Sequence, residues 1–288
     1  MREVHFRITD KCNLKCRHCC YSCGPDGKSI SPEGLEKVID NIPEEIESIA
    51  ISGGEPLVER NLLMHALECI QEKNKARDNK IKVRIITNGF WARNEESAYR
   101  TIRELYDNGV SVIDIASGDR YHYEQGINPE LLKPYQKESP MCKAREQLEK
   151  EMGTGRKLEI EFRRHYGEGI FAIPFGRAKS LPAKEKDLNR ICSITPKLDE
   201  ITVNPDGKVY PCCWAITPSI GNALEDNLDA VIKRAMRNRV FKTLAAEGPI
   251  GVAKLTGYFR RSDEPLYRRQ QCVMCEEVFD EMRKNGDI

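Results

Sequence analysis

Cys12, Cys16 and Cys19 stand at x3 and x2 spacing on one short stretch, with Cys20 and Cys23 directly behind them. Three thiolates on so tight a loop can hold three corners of an iron–sulfur cube. No local residue supplies the fourth, and an iron with an open position can bind and activate a ligand. Zinc competes for such thiols, but structural zinc takes four closed ligands, usually in two Cys-x2-Cys knuckles. Pairing Cys16-x2-Cys19 with Cys20-x2-Cys23 would strand Cys12 on an awkwardly short loop. A second group, Cys192, Cys212, Cys213, Cys272 and Cys275, lies far down the chain. These ten clustered cysteines read as metal ligands and chemistry. The other two stand apart: Cys69 falls among Leu62, Leu63, Ala66 and Ile70 on a helical pattern and reads as a core thiol, and Cys142 opens another helical pattern.

The 288 residues carry 46 Lys and Arg against 45 Asp and Glu, a net charge of +1. No global field therefore argues for nucleic acid or an anionic membrane as partner. No apolar run approaches the roughly 20 residues that span a bilayer, and the N-terminus has no signal-peptide core. The expectation is a cytoplasmic protein, a compartment in which thiols stay reduced and disulfide scaffolds are rare.

The elements that would position these cysteines follow from pattern. Val4–Ile8 reads as a strand, and Ser31-Pro32 as a helix N-cap with proline in the first turn. Leu35, Val38, Ile39 and Ile42 then mark one helical face. Strands are expected at Ile46–Ser52, Ile81–Thr87, Val110–Ala116, Leu158–Arg163 and Gly169–Pro174. Helices fall over Leu62–Ile70, from Asn94 to Gly109, and over Met141–Met152. Strands alternating with helices predict an α/β fold, a parallel β/α architecture. The span is too short for the ~250 residues of a full eight-unit barrel, so a partial (β/α)6 TIM-type barrel over 1–178 is expected. Its loaded loops, the cysteine loop, Gly53-Gly54-Glu55-Pro56, Thr87-Asn88-Gly89 and Ser117-Gly118-Asp119, all follow strands, where ligands bind in such folds. A polar linker over 179–190 leads to a small α+β unit over 191–288. That unit holds a hairpin at Ile201–Tyr210, turned by Asn204–Gly207, and a helix over Leu228–Arg239.

Cys12-x3-Cys16-x2-Cys19, followed after the next strand by Gly53-Gly54-Glu55-Pro56, resembles the radical S-adenosylmethionine (SAM) superfamily. The resemblance implies a 4Fe–4S cluster on Cys12, Cys16 and Cys19, whose open iron takes the methionine end of SAM. Gly53, Gly54 and Glu55 would then meet SAM, with Glu55 accepting from its ammonium. Asn88, Ser117 and Asp119 are polar strand-end groups suited to ribose hydroxyls, though each also suits a local turn. Further on, Pro174-Phe-Gly-Arg-Ala178, Cys192, Gly207-x4-Cys212 and Cys272-x2-Cys275 resemble the twitch type of C-terminal extension, a shortened relative of the SPASM domain. That implies one auxiliary 4Fe–4S cluster on Cys192, Cys212, Cys272 and Cys275, with zinc as the competitor there.

Cys213 is then left over. With Cys19-Cys-x2-Cys23, Asn88-Gly-Phe-Trp91, Asp119-x-Tyr-His122 and Gly207-x2-Tyr-Pro-Cys-Cys213, the chain resembles the radical SAM peptide epimerases of epipeptide biosynthesis. The resemblance implies that a 5′-deoxyadenosyl radical takes a Cα hydrogen from an L-residue of a ribosomally made peptide. Cys213 would return hydrogen from the opposite face, with flavodoxin or ferredoxin as electron donor. A peptide crosslinker, a glycyl-radical activase and a non-catalytic electron carrier are the competing readings. His18, His122, His165, Trp91 and Trp214 are candidates to line the mouth. The first strand begins at about residue 4, leaving no room ahead of it for a leader-binding domain. The expectation is that the mouth grips the peptide itself or that another protein presents it.

Overall fold

The computed structural model describes residues 2–153, 157–162, 172–186, 192, 194, 198, 200–259 and 270–288. Strands β1 (Arg2–Thr9), β2 (Ile46–Gly53), β3 (Lys82–Thr87), β4 (Val110–Ile115) and β5 (Glu159–Phe162) are parallel and neighbour one another in chain order. Between them come α1 (Pro32–Asp40), α2 (Arg60–Lys75), α3 (Glu95–Asp107), the short α4 (Arg120–Tyr123) and α5 (Pro140–Met152). Local chemistry sets the helix starts. The Ser31 hydroxyl accepts from the Gly34 N–H ahead of α1, and Asn94 and Ser97 cap α3 reciprocally.

Side chains alternate across a strand, and β1 uses both faces. Val4, Phe6 and Ile8 are fully buried in the hydrophobic core, while Glu3, His5 and Arg7 line a cavity on the other side. This face was readable in Val-His-Phe-Arg-Ile by its period of two, yet it drew no functional expectation.

The far edge of β1 is covered by an element from much later in the chain. Strand β6 (Glu200–Val203) pairs parallel with β1, setting Glu200 beside Glu3 and Thr202 beside His5. It turns antiparallel into β7 (Lys208–Tyr210) and then β8 (Gly221–Asn222), completing an eight-stranded sheet. The predicted hairpin thus forms, but as a continuation of the barrel sheet, where it removes the exposed edge that β1 would present. Of the expected strand at Gly169–Pro174, residues 169–171 lie outside the described ones, and Ala172 makes a single bridge to Lys186. The neighbour of β1 is β6 instead.

Helices α6 (Leu228–Arg237), α7 (Arg239–Thr256) and α8 (Gln271–Asn285) follow. The single helix expected over Leu228–Arg239 breaks at Asn238, whose side chain caps α7 by accepting from Val240 and Phe241 N–H. Leu244, Val252 and Ala253 of α7 pack on Met274, Cys275, Val278, Phe279 and Met282 of α8 as a second core. No helix among the described residues is long and apolar enough to cross a membrane.

Candidate metal centre and substrate cavity

The cysteine loop leaves the carboxyl end of β1 and is held by its own backbone. The Cys12 N–H donates to the Gly24 carbonyl (3.0 Å), Gly24 N–H to Asp10 (3.2 Å), and Cys19 N–H to Cys16 (3.2 Å). The Gly53-Gly54-Glu55 turn is bonded to its root, Gly54 N–H to the Thr9 carbonyl (2.7 Å) and Glu55 N–H to Lys11 (2.8 Å). Gly53 has φ +148°, and a Cβ there would stand 2.1 Å from the Thr9 oxygen, so the approach requires glycine. From the third loop, the Asn88 amide donates to Asn13 Oδ1 (3.0 Å) beside the Cys12 sulfur.

A cavity of about 500 Å³ collects these loops. Cys12, Cys16, Cys19, Gly53, Gly54 and Asn88 line it, and so does Cys213, which arrives from beyond β7. Cys20, Cys23, His18, His122 and Trp214 share the wall. The remaining expected ligands go elsewhere. Glu55 is fully buried and turned towards β3, where its carboxylate accepts from Asn88 N–H (2.6 Å), the Thr87 hydroxyl (2.8 Å) and Leu57 N–H (3.2 Å). Desolvation nevertheless raises its pKa to about 7. Ser117 is wholly buried, and its hydroxyl has no hydrogen-bond partner among the described residues. Asp119 caps α4 through Tyr121 and His122 N–H and binds the His122 ring at 2.7 Å. Burial alone would raise it, but the His122 contact holds it below the usual carboxylate range. Trp91 packs inward and donates to Thr87 (3.1 Å), and His165 lies outside the described residues.

Burial pushes the Cys12 thiol up to about 11 and the Cys16 thiol up to about 12. The Cys23 thiol, hydrogen-bonded to Cys19, draws the latter down to about 6. Metal uptake would displace the protons that burial retains. Cys23 also accepts from Arg7 (3.4 Å), and Cys20 packs against the cluster of Ile173, Phe175 and Cys272, as Trp214 does. Burial raises the Cys213 thiol, and Cys212, Glu200, Cys20 and Cys272 act on it electrostatically.

Cys192, Cys212, Cys272 and Cys275 converge from three segments. Cys212 and Cys275 are almost fully buried, and the charge of Cys212, Cys192 and Cys272 is felt at Cys275. Cys272 and Cys275 sit in the first two turns of α8, a helical placement that the Cys-x2-Cys spacing left open. Among the described residues no three thiol sulfurs lie within 4.8 Å of one another. A tetrahedral zinc with bonds of about 2.3 Å would hold its sulfurs only ~3.8 Å apart. The donor set at both sites, cysteine thiols alone, suits an iron–sulfur cube.

Comparison with known proteins settles the class. The profile of the Radical SAM superfamily matches residues 6–150, which is half of the chain. The chain belongs to the radical SAM superfamily. An iron–sulfur cluster-binding (SPASM) domain matches residues 192–276, so this radical SAM enzyme carries SAM and two iron–sulfur clusters as its cofactors. It is 20% identical over 317 residues to the "Putative peptide biosynthesis protein YydG" of Bacillus subtilis (strain 168), covering 98% of this chain and 93% of that protein. A "Probable GTP 3',8-cyclase" of Methanosarcina mazei is 38% identical, but over only 65 residues, 20% of each chain. The structure of BtrN in complex with AdoMet and 2-DOIA superimposes with a TM-score of 0.52 at 15% identity, covering 87% of this radical SAM chain and 89% of BtrN.

The charged lumen is what the sequence reading missed. His5 Nε2 stands 2.9 Å from Glu3 and 3.2 Å from Glu200, and Arg84 binds Glu161 at 2.6 Å and Asp114 at 3.5 Å. Glu3, His5, Arg84, Glu200 and Thr202 all line the cavity. The His5 hydrogen bond is the main reason that Glu3 is held down to about 2.

Proposed function

We propose that this radical SAM enzyme modifies a ribosomally made peptide by inverting a residue from L to D. The peptide class rests on the end-to-end likeness to the peptide biosynthesis protein YydG. The observation that carries the reaction is the presence of Cys213 on the wall of the cavity that Cys12, Cys16 and Cys19 also line.

In this reading Cys12, Cys16 and Cys19 hold one 4Fe–4S cluster, and Cys192, Cys212, Cys272 and Cys275 hold the auxiliary one. Gly53, Gly54 and Asn88 line the bed for SAM, and Glu55 holds the Asn88 backbone from behind it. The glycines admit close backbone approach. When bound and reduced by one electron, the cofactors supply a 5′-deoxyadenosyl radical.

The chain's own residues do the rest. The Glu3–His5–Glu200 group and Arg84 offer polar contacts that can fix a peptide backbone across the lumen. With one face of a substrate Cα towards the SAM bed, the Cys213 S–H meets the other. Once the radical has broken the Cα–H bond on the first face, the Cys213 S–H bond breaks, a new Cα–H bond forms on the opposite face, and the inverted residue leaves a thiyl radical on Cys213. One electron and one proton restore the thiol, the electron coming from a donor such as flavodoxin or ferredoxin in the cytoplasm.

The test is an anaerobic incubation with a candidate precursor peptide in D₂O. Each converted residue is expected to gain one deuterium and to hydrolyse to a D-amino acid. A product lighter by two hydrogens would replace epimerisation with crosslinking.

A further inference from the structure

Arg177 reaches back from the segment after β5 to the cysteine loop. Its Nε donates to the Cys16 carbonyl at 2.9 Å and its Nη2 to the Cys23 carbonyl at 2.7 Å. Its backbone N–H donates to the Cys19 carbonyl at 3.1 Å. One residue thus ties down three carbonyls of the loop that bears Cys12, Cys16 and Cys19. The preceding Gly176, at φ +53°, lies so close that a Cβ would stand 2.3 Å from the Cys20 oxygen. Arg177 also lines the cavity, and none of the ion pairs among the described residues includes it. Its charge acts on Cys12, Cys16 and Cys19 alike.

We propose that Arg177 is a positioning residue for the SAM-binding cluster, clamping its loop and setting its reduction potential. The planar fork suits the clamp, because two N–H groups on one edge can serve two carbonyls at once. An uncompensated cation beside the thiolates favours the reduced, more negative cluster and so raises its potential, a tuning effect of local charge. The inference rests on superfamily membership and not on the peptide reading, so epimerisation can fail while it stands.

Two variants separate the roles: Arg177→Lys keeps the charge without the fork, and Arg177→Gln removes both. In metal-free protein, amide exchange at Cys19, Ser22 and Gly24 should quicken about tenfold in both, the size of losing one charged hydrogen bond. In the anaerobically reconstituted chain, an EPR-monitored titration should show the SAM-binding cluster at a more negative potential in Arg177→Gln. Arg177→Lys should restore most of that shift, and the auxiliary cluster should not move in either variant. Wild-type exchange rates in both variants would overturn the clamp. An unchanged potential in Arg177→Gln would overturn the role of its charge. If Arg177→Gln does not fold, the exchange rates of Arg177→Lys decide the clamp, and its potential, expected near the wild-type value, decides the charge.

Discussion

The two cysteine sets are built on opposite plans. Cys12, Cys16 and Cys19 share one loop whose backbone closes on itself through Gly24 and Asp10, with the Gly53–Glu55 turn bonded to its root. Cys192, Cys212, Cys272 and Cys275 come from a loop, the end of a hairpin and the first two turns of α8. The backbone N–H of Cys192 is tied to α8 through the Gln271 side chain at 2.8 Å. The first set sits on one local loop that distant residues then brace, whereas the second exists only once the tertiary fold is complete. A radical-generating site needs a rigid bed for its cofactors, and the local plan supplies it.

Removing one thiol from each set should break that comparison most visibly. Cys12→Ala should abolish 5′-deoxyadenosine formation and lose about four irons per chain, the content of one cube. Cys272→Ala should lose a similar amount of iron yet still cleave SAM. Iron analysis paired with a 5′-deoxyadenosine assay reads both, and equal loss of SAM cleavage would make the two sites one functional unit.

A smaller effect concerns how the first region is held. Glu55 has its pKa raised to about 7 by burial, against 4.5 ordinarily. Between those values the unfolded chain has lost this proton while the folded protein keeps it, so stability falls as pH rises. The span is worth a few kcal/mol. Glu55→Gln should flatten this limb in thermal melts of the metal-free protein, at some cost where the Asn88 N–H loses an anionic acceptor. An unchanged slope would mean that Glu55 is ionised throughout.

The smallest effect belongs to the second region. Gln271→Ala should cost about 1 kcal/mol, the worth of one partly buried hydrogen bond. It should lower auxiliary iron retention under a chelator while leaving SAM-cluster iron as it was.

The same contrast explains what could be read from the sequence. The Cys12 loop, the caps at Ser31 and Asn94, and the strand–helix alternation are local signals, and the first five strands with α1, α2, α3 and α5 formed within a few residues of their expected places. The β1–β6 pairing joins residues about 200 apart and leaves no local trace in the sequence. Glu55 was expected to face the ligand, but three inward donors turn it towards β3. Arg177 was legible only as part of a motif, because a long-range clamp has no spacing of its own.

If radical generation rests on the Cys12 loop and its outcome on Cys213 across the same cavity, the two are separable. The most direct measurement is product analysis of Cys213→Ala with peptide under reducing, anaerobic conditions. The account predicts 5′-deoxyadenosine in undiminished amount, with no D-residue and no deuterium incorporated from D₂O. A D-residue formed at the wild-type rate by Cys213→Ala would contradict it.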